Sequence, residues 1–160
     1  MNRKRIYLCL AHMSGNEMKY IQDAFDTNWV VPLGPNVNGF EKDLESFVGQ
    51  DKKVVALSAG TAAVHLALLD CDVKAGDEVL VQSFTFCASS NPIKYLGAKP
   101  VFVDSEKETW NMDPQLLDKA IADRIEKTGK KPKAIIVVYL YGMPAKIDEI
   151  LQVANKYDIP

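Results

Sequence analysis

At 160 residues the chain fits one domain, and 48% apolar with 25% charged residues is an ordinary globular balance, sufficient for a core. The formal net charge of −2, with Lys and Arg scattered, excludes a basic surface for nucleic acid. Cys9, Cys71 and Cys87 are odd in number, far apart and set in apolar runs. They read as buried free thiols in a reducing compartment, not as a disulfide frame or a zinc site, and no metal site is expected. The apolar run Ile6–Ala11 after the basic N-terminus is too short for a signal-peptide core, and no run approaches the roughly 20 residues that span a bilayer. A soluble, cytoplasmic protein is expected.

The first 50 residues predict a helical segment. Ser14 and Glu17 have capping-box spacing, and Met18, Ile21, Ala24 and Phe25 follow at helical period. Two prolines and a glycine within residues 28–35 exclude a continuous helix there. Phe40, Leu44, Phe47 and Val48 form the apolar stripe of a second helix, with Gly49 as its stop. From residue 51 the rhythm becomes strand, helix, strand, helix. Strands are predicted at Val54–Leu57, Glu78–Val81, Pro100–Val103 and Ala134–Val138, and helices near 61–71, 86–96, 114–128 and 145–157. Short β-branched runs alternating with helices predict an α/β fold, a mostly parallel sheet with helices on both faces.

Two strand ends carry the informative residues. After Leu57, the small residues Ser58-Ala-Gly-Thr-Ala-Ala63 open a helix. The first N–H groups of a helix lack internal partners and its dipole is positive there, so an anion is favoured. Gly60, Ala62 and Ala63 let a phosphate approach the backbone, and Thr61 can add a hydroxyl donor; a tight turn with a capping Thr is the alternative. No Walker lysine and no G-x-G-x-x-G is present, so this is neither a P-loop nor a dinucleotide fingerprint. At the second end, Ser83-Phe-Thr-Phe-Cys-Ala-Ser89, Phe86 could stack on a planar heterocycle or belong to the core. A phosphate cradle beside an aromatic platform suits a phosphorylated aromatic cofactor.

The blocks Leu57–Ala63, Gly76-Asp-Glu-Val79, Ser83–Ser89, Gly97–Asp104 and Val138–Asp148 resemble, in order and spacing, the DegT/DnrJ/EryC1/StrS aminotransferases. These are fold-type I pyridoxal-phosphate enzymes acting on nucleotide-linked keto-sugars. The stretches Ala11–Glu17 and Pro32–Glu41 are similar to members that aminate UDP-linked 4-keto-6-deoxy-N-acetylglucosamine. The resemblance covers essentially the whole chain. It implies an N-terminal helical segment (1–50) followed by the first part of the large domain (51–160). Gly60, Thr61 and Ala62 would hold the phosphate of pyridoxal 5'-phosphate, and Phe86 would stack on its ring. Asn28, Trp29, Val30 and Val31 would lie along the nucleotide-sugar site. Tyr139 stands where the family commonly has His.

The resemblance further implies that the family's aspartate for the ring nitrogen and its cofactor-binding lysine lie beyond residue 160. The 160 residues are therefore expected to be a fragment, inactive alone, with no catalytic residue of their own. Lys94, Lys99, Lys133 and Lys146 read as solvated charges. In the longer enzyme, glutamate would supply the amino group and a nucleotide sugar would accept it, within a homodimer. Two alternatives stay open: a pyridoxamine-phosphate sugar dehydratase of the same fold, and a non-catalytic sugar-nucleotide-binding or regulatory relic. An ordinary nucleotide-binding α/β domain is disfavoured by the missing glycine fingerprint. His65 reads as a packed or capping residue and His12 as a lone group near the substrate. Glu41, Asp43 and Glu45 read as a solvated helix face, and Asp104 as a turn or an active-site carboxylate. Cys87 sits beside the platform with no base to activate it.

Overall fold

The computed structural model describes residues 4–7, 11–49 and 51–160. Cys9 lies outside the described residues. The chain separates into two compact units, Met1–Ala56 and Leu57–Pro160.

The first unit contains helices α1 (Glu17–Asp26) and α2 (Pro35–Val48). The α1 cap differs from a reciprocal capping box. Glu17 reaches back to the Ser14 and Gly15 N–H groups at 2.6 and 2.9 Å, but the Ser14 hydroxyl accepts from Asn16, and Asn16 takes the N-cap position. Pro35 occupies the first turn of α2, where its missing N–H costs nothing, and Gly49 ends the helix at φ +67°.

No strand covers Val54–Leu57. The Val54 N–H donates to Glu45 Oε1 (3.2 Å) and the Ala56 N–H to Glu41 Oε1 (2.8 Å). Two carboxylates of α2 therefore do what a neighbouring strand would do for this segment. This corrects the reading of Glu41 and Glu45 as purely solvated.

The second unit is an α/β layer structure. Its three parallel strands, β1 (Glu78–Gln82), β2 (Lys99–Val103) and β3 (Ala134–Ile136), lie in the order β2-β1-β3. The central strand is sealed: Val79, Leu80, Val81 and Gln82 are fully buried. Successive side chains point to opposite faces, so Leu80 enters one core and Val79 and Val81 the other. Leu80 joins Leu117 and Ile121 of α5 (Pro114–Thr128) and Ile150 of α6 (Ile147–Tyr157). Val79 and Val81 pack with Leu68 of α3 (Gly60–Asp70) and Ile93 of α4 (Asn91–Tyr95). Helices thus cover both faces, as alternating apolar strands require.

Helix α5 shows how local sequence sets an element. Asp113 caps it by accepting from the Gln115 and Leu116 N–H groups, Pro114 opens it, and Gly129 closes it in the left-handed region at φ +69°. Arg124 then clamps α5 to the start of β1 through two parallel bonds to Glu78, at 2.8 and 2.9 Å. The segment predicted as one helix over 86–96 is divided into a 3-10 turn, Cys87–Ser89, and the short α4, with Pro92 in the first turn of α4. No helix among the described residues is long and apolar enough to cross a membrane.

Candidate functional site

The strands are parallel, so their carboxyl ends share one edge, where ligands bind in open α/β sheets. In the second unit, Gly60, Thr61, Val64, Phe86, Ala88 and Ser89 line a hollow of about 380 Å³. Extended Ala59 leads directly into α3. Its carbonyl accepts from the Ala62 N–H at 3.0 Å and the Ala63 N–H at 3.2 Å. Ala62 is therefore partly spent inside the helix, while the Gly60 and Thr61 N–H groups, in the first turn, have no intrahelical partner. A β-carbon placed on Gly60 would meet nothing within 4 Å, which leaves the helix end open to a ligand.

Phe86 lines the same hollow and is 77% exposed, which excludes it from the core. The backbone around it is fixed by Ser89, whose N–H donates to the Phe86 carbonyl at 3.0 Å, and by the Thr85–Ser89 hydroxyl pair at 2.9 Å. The amide-lined helix end, the open space at Gly60 and the bare ring fit a phosphorylated aromatic group. No ionisable side chain lines the hollow, so these residues can bind and orient but cannot transfer a proton. Among the described residues, no cluster of His, Cys, Asp or Glu is suited to hold a metal ion.

A larger, open hollow of about 690 Å³ lies between Phe84, Trp110, Tyr141 and Met143. Phe84 and Trp110 meet edge to face at 6.2 Å, and Trp110 and Tyr141 both adopt left-handed backbone at φ +63° and +52°. It offers apolar walls without a helix amide end, so its size does not make it the anion site. Its rim is held by Glu106, which accepts from the Glu108 and Thr109 N–H groups at 2.7 and 2.8 Å and from the Thr109 hydroxyl. The Thr109 hydroxyl and these amides favour the charged form and hold the Glu106 carboxyl at about 2, against its ordinary 4.5. Lys146 pairs with Glu108 at 2.8 Å and Glu106 at 3.6 Å, so it is a half-buried ion-pair partner and not a free solvated charge.

The remaining candidates sort by environment. Asn28, Trp29, Val30 and Val31 lie in the first unit and are exposed, with Asn28 in left-handed backbone at φ +59°. Trp29 and Val31 line a hollow of about 200 Å³ beside Gly34. Asp104 accepts from the Ser83 hydroxyl (3.1 Å) and the Ser105 N–H (2.8 Å), which is the turn role. His65 packs edge to face on Tyr95, centroids 5.8 Å apart. Cys87 is exposed and Cys71 half-buried, so neither is the fully buried thiol that its apolar neighbours suggest. Sequence reasoning passed over Gln82 and Asn111, both fully buried and both bonded to backbone groups near the sheet edge.

The profile of the DegT/DnrJ/EryC1/StrS aminotransferase family matches residues 11–160. The chain is 52% identical over 157 residues to EpsN of Bacillus subtilis, named for a pyridoxal phosphate-dependent aminotransferase, covering 98% of this chain and 40% of EpsN. It is 37% identical to GDP-perosamine synthase of Caulobacter vibrioides, covering 97% of this chain and 40% of that protein. Against the UDP-2-acetamido-2-deoxy-3-oxo-D-glucuronate aminotransferase of Pseudomonas aeruginosa it is 43% identical, covering 80% of this chain and 33% of that enzyme. The fold superposes on Spr1654 of Streptococcus pneumoniae, named as a sugar aminotransferase, in its PMP form, with TM-score 0.78 and 34% identity, over 91% of this chain and 34% of that one. The chain thus spans about 40% of the length of EpsN and GDP-perosamine synthase. It belongs to the DegT/DnrJ/EryC1/StrS aminotransferase family.

Proposed function

We propose that these residues form the cofactor-binding portion of a sugar aminotransferase that uses pyridoxal 5'-phosphate. The observation that carries this reading is the pairing, in one hollow, of the open α3 amide end at Gly60 and Thr61 with the exposed ring of Phe86. The helix end would hold the phosphate through its N–H groups and dipole. The Thr61 hydroxyl would add a donor, and Ala62 would keep the approach narrow. Phe86 would lie against the pyridine ring and set its tilt. When bound, the cofactor supplies an electron-withdrawing ring through which an amino group can be accepted and delivered.

Glutamate as donor and C4 of a UDP-linked 4-keto-6-deoxy sugar as acceptor are our finer assignment. It rests on the likeness of Ala11–Glu17 and Pro32–Glu41 to enzymes of that specificity. Asn28, Trp29, Val30 and Val31 would face the sugar nucleotide. The family resemblance supports a homodimer working in the cytoplasm, with residues 1–50 as a helical segment and 51–160 as the first part of the large domain.

Titration of the chain with pyridoxal 5'-phosphate, followed by calorimetry, tests the cradle. Saturable binding displaced by inorganic phosphate is expected; binding that phosphate does not displace, or no binding, would overturn it. For the acceptor, UDP- and GDP-linked 4-keto sugars would be offered with glutamate to the longer enzyme of which these residues form the cofactor-binding portion. Formation of the 4-amino UDP-sugar is expected, and exclusive use of the GDP-sugar would sink the nucleotide assignment.

A further inference from the structure

We propose that Gln82 is a positioning residue that sets the Phe86 platform relative to the exit of β3, with Asn111 extending the same brace. The proposal rests on the reading of the hollow as a cofactor cradle.

Gln82 ends β1 and is fully buried, where an apolar side chain would be ordinary. Its Nε2 donates to the Phe84 carbonyl at 2.8 Å, and its Oε1 accepts from the Val138 N–H at 3.3 Å. Both partners lie outside the strand ladder, one on the segment that carries Phe86 and one beside Tyr139. The orientation of the amide is dictated by its partners, since a carbonyl only accepts and an N–H only donates.

Asn111 repeats the arrangement on the next loop. It too is fully buried, with Nδ2 donating to the Met143 carbonyl and Oδ1 accepting from the Leu140 N–H, each at 2.8 Å. Together the two side chains bridge the exits of all three strands, and Tyr139 sits between the two braced amides, Val138 and Leu140. An apolar residue at either position would leave two backbone groups without their partner.

Phe86 needs such a device. A ring that is 77% exposed has little packing to fix it, so its position must come from the backbone that carries it. Gln82 couples that backbone to the loop holding Tyr139, whereas the phosphate end at Gly60 and Thr61 depends on α3 and is not touched by the brace.

This separation defines the test. Dissociation constants for pyridoxal 5'-phosphate and for inorganic phosphate would be measured on the wild type, Gln82→Met and Asn111→Leu. Loss of the brace is expected to weaken pyridoxal 5'-phosphate binding about tenfold while phosphate binding stays within about twofold. Equal losses for both ligands, or unchanged pyridoxal 5'-phosphate affinity in a folded Gln82→Met, would overturn the proposal. Amide hydrogen exchange on the wild type is the second readout. Val138 and Leu140 should be protected although neither lies in a regular strand; free exchange at Val138 would refute the brace even if no ligand binds. If the wild type binds neither ligand while Val138 is protected, the cradle reading fails and the brace has only a structural role. Should Gln82→Met not fold, Gln82→Glu replaces it. Its buried carboxyl, when protonated, can donate to Phe84 and accept from Val138, so platform binding should recover as pH falls; no recovery counts against the proposal.

Discussion

The indole of Trp29 lies against Gly34, its Cε3 3.0 Å from where a β-carbon on that glycine would sit. Gly34 also has φ +128° and ψ −176°, a region closed to residues with a side chain, at the N-cap of α2. Two independent reasons therefore require glycine here. Gly34→Ala should destabilise the first unit by about 1–3 kcal/mol and displace Trp29. Urea unfolding together with the Trp29 emission maximum, in a Trp110→Phe background, measures both effects. An unshifted maximum would mean that the ring does not rely on Gly34.

Acid should act through Glu106. Its carboxyl is held at about 2 by the Thr109 hydroxyl and the backbone amides of Glu108 and Thr109. The ordinary value of 4.5 applies once the chain unfolds, so the unfolded state binds its proton first as pH falls. The stabilisation is complete above about 4.5 and is lost as pH falls towards about 2. Thermal melts between these pH values should show a steeper loss of Tm for the wild type than for Glu106→Gln, whose amide does not titrate. Parallel Tm curves would remove Glu106 as the source.

Adjacent leucines on α5 separate packing from helix propensity. Leu117 is fully buried in the core around Leu80, whereas Leu116 is 36% exposed. Leu117→Ala should cost about 2–5 kcal/mol, through lost burial and the cavity left behind. Leu116→Ala should cost less than about 1 kcal/mol, because it empties no enclosed space. Denaturant midpoints of the two variants give the comparison.

Much of this architecture was legible because sequence signals and tertiary packing agree. Asp113-Pro114 and Gly129 mark both ends of α5, and the apolar run Val79–Val81 is buried on both faces as its composition implies. Val54–Leu57 reads equally well as a strand, but strand propensity says nothing of whether a pairing neighbour exists; carboxylates of α2 take the Val54 and Ala56 amides. Gln82 and Asn111 were illegible for the opposite reason. A polar residue at the end of a strand or in a loop looks solvated until the packing that buries it is known. The local pattern around Phe86 suits core and platform equally, the resemblance alone points to the platform, and the exposure of the ring takes it out of the core. The helix predicted near 86–96 is instead broken after the 3-10 turn Cys87–Ser89, and Pro92 is accommodated in the first turn of the short α4.

The phosphate cradle can be tested separately from the stability of its helix. Gly60 starts α3, lacks the positive φ that would require glycine, and has open space where a methyl group would go. Alanine there should leave the fold intact or stabilise it by about 0.4–1 kcal/mol, because it restricts the unfolded chain. The same methyl would stand in front of the amide end of α3, inside the hollow that Phe86 closes. Gly60→Ala is therefore expected to weaken binding of both inorganic phosphate and pyridoxal 5'-phosphate while Tm holds or rises. That pattern differs from the brace variants, which should spare phosphate. If Gly60→Ala binds phosphate as the wild type does, the anion does not approach α3 at Gly60, and the cradle must be placed elsewhere.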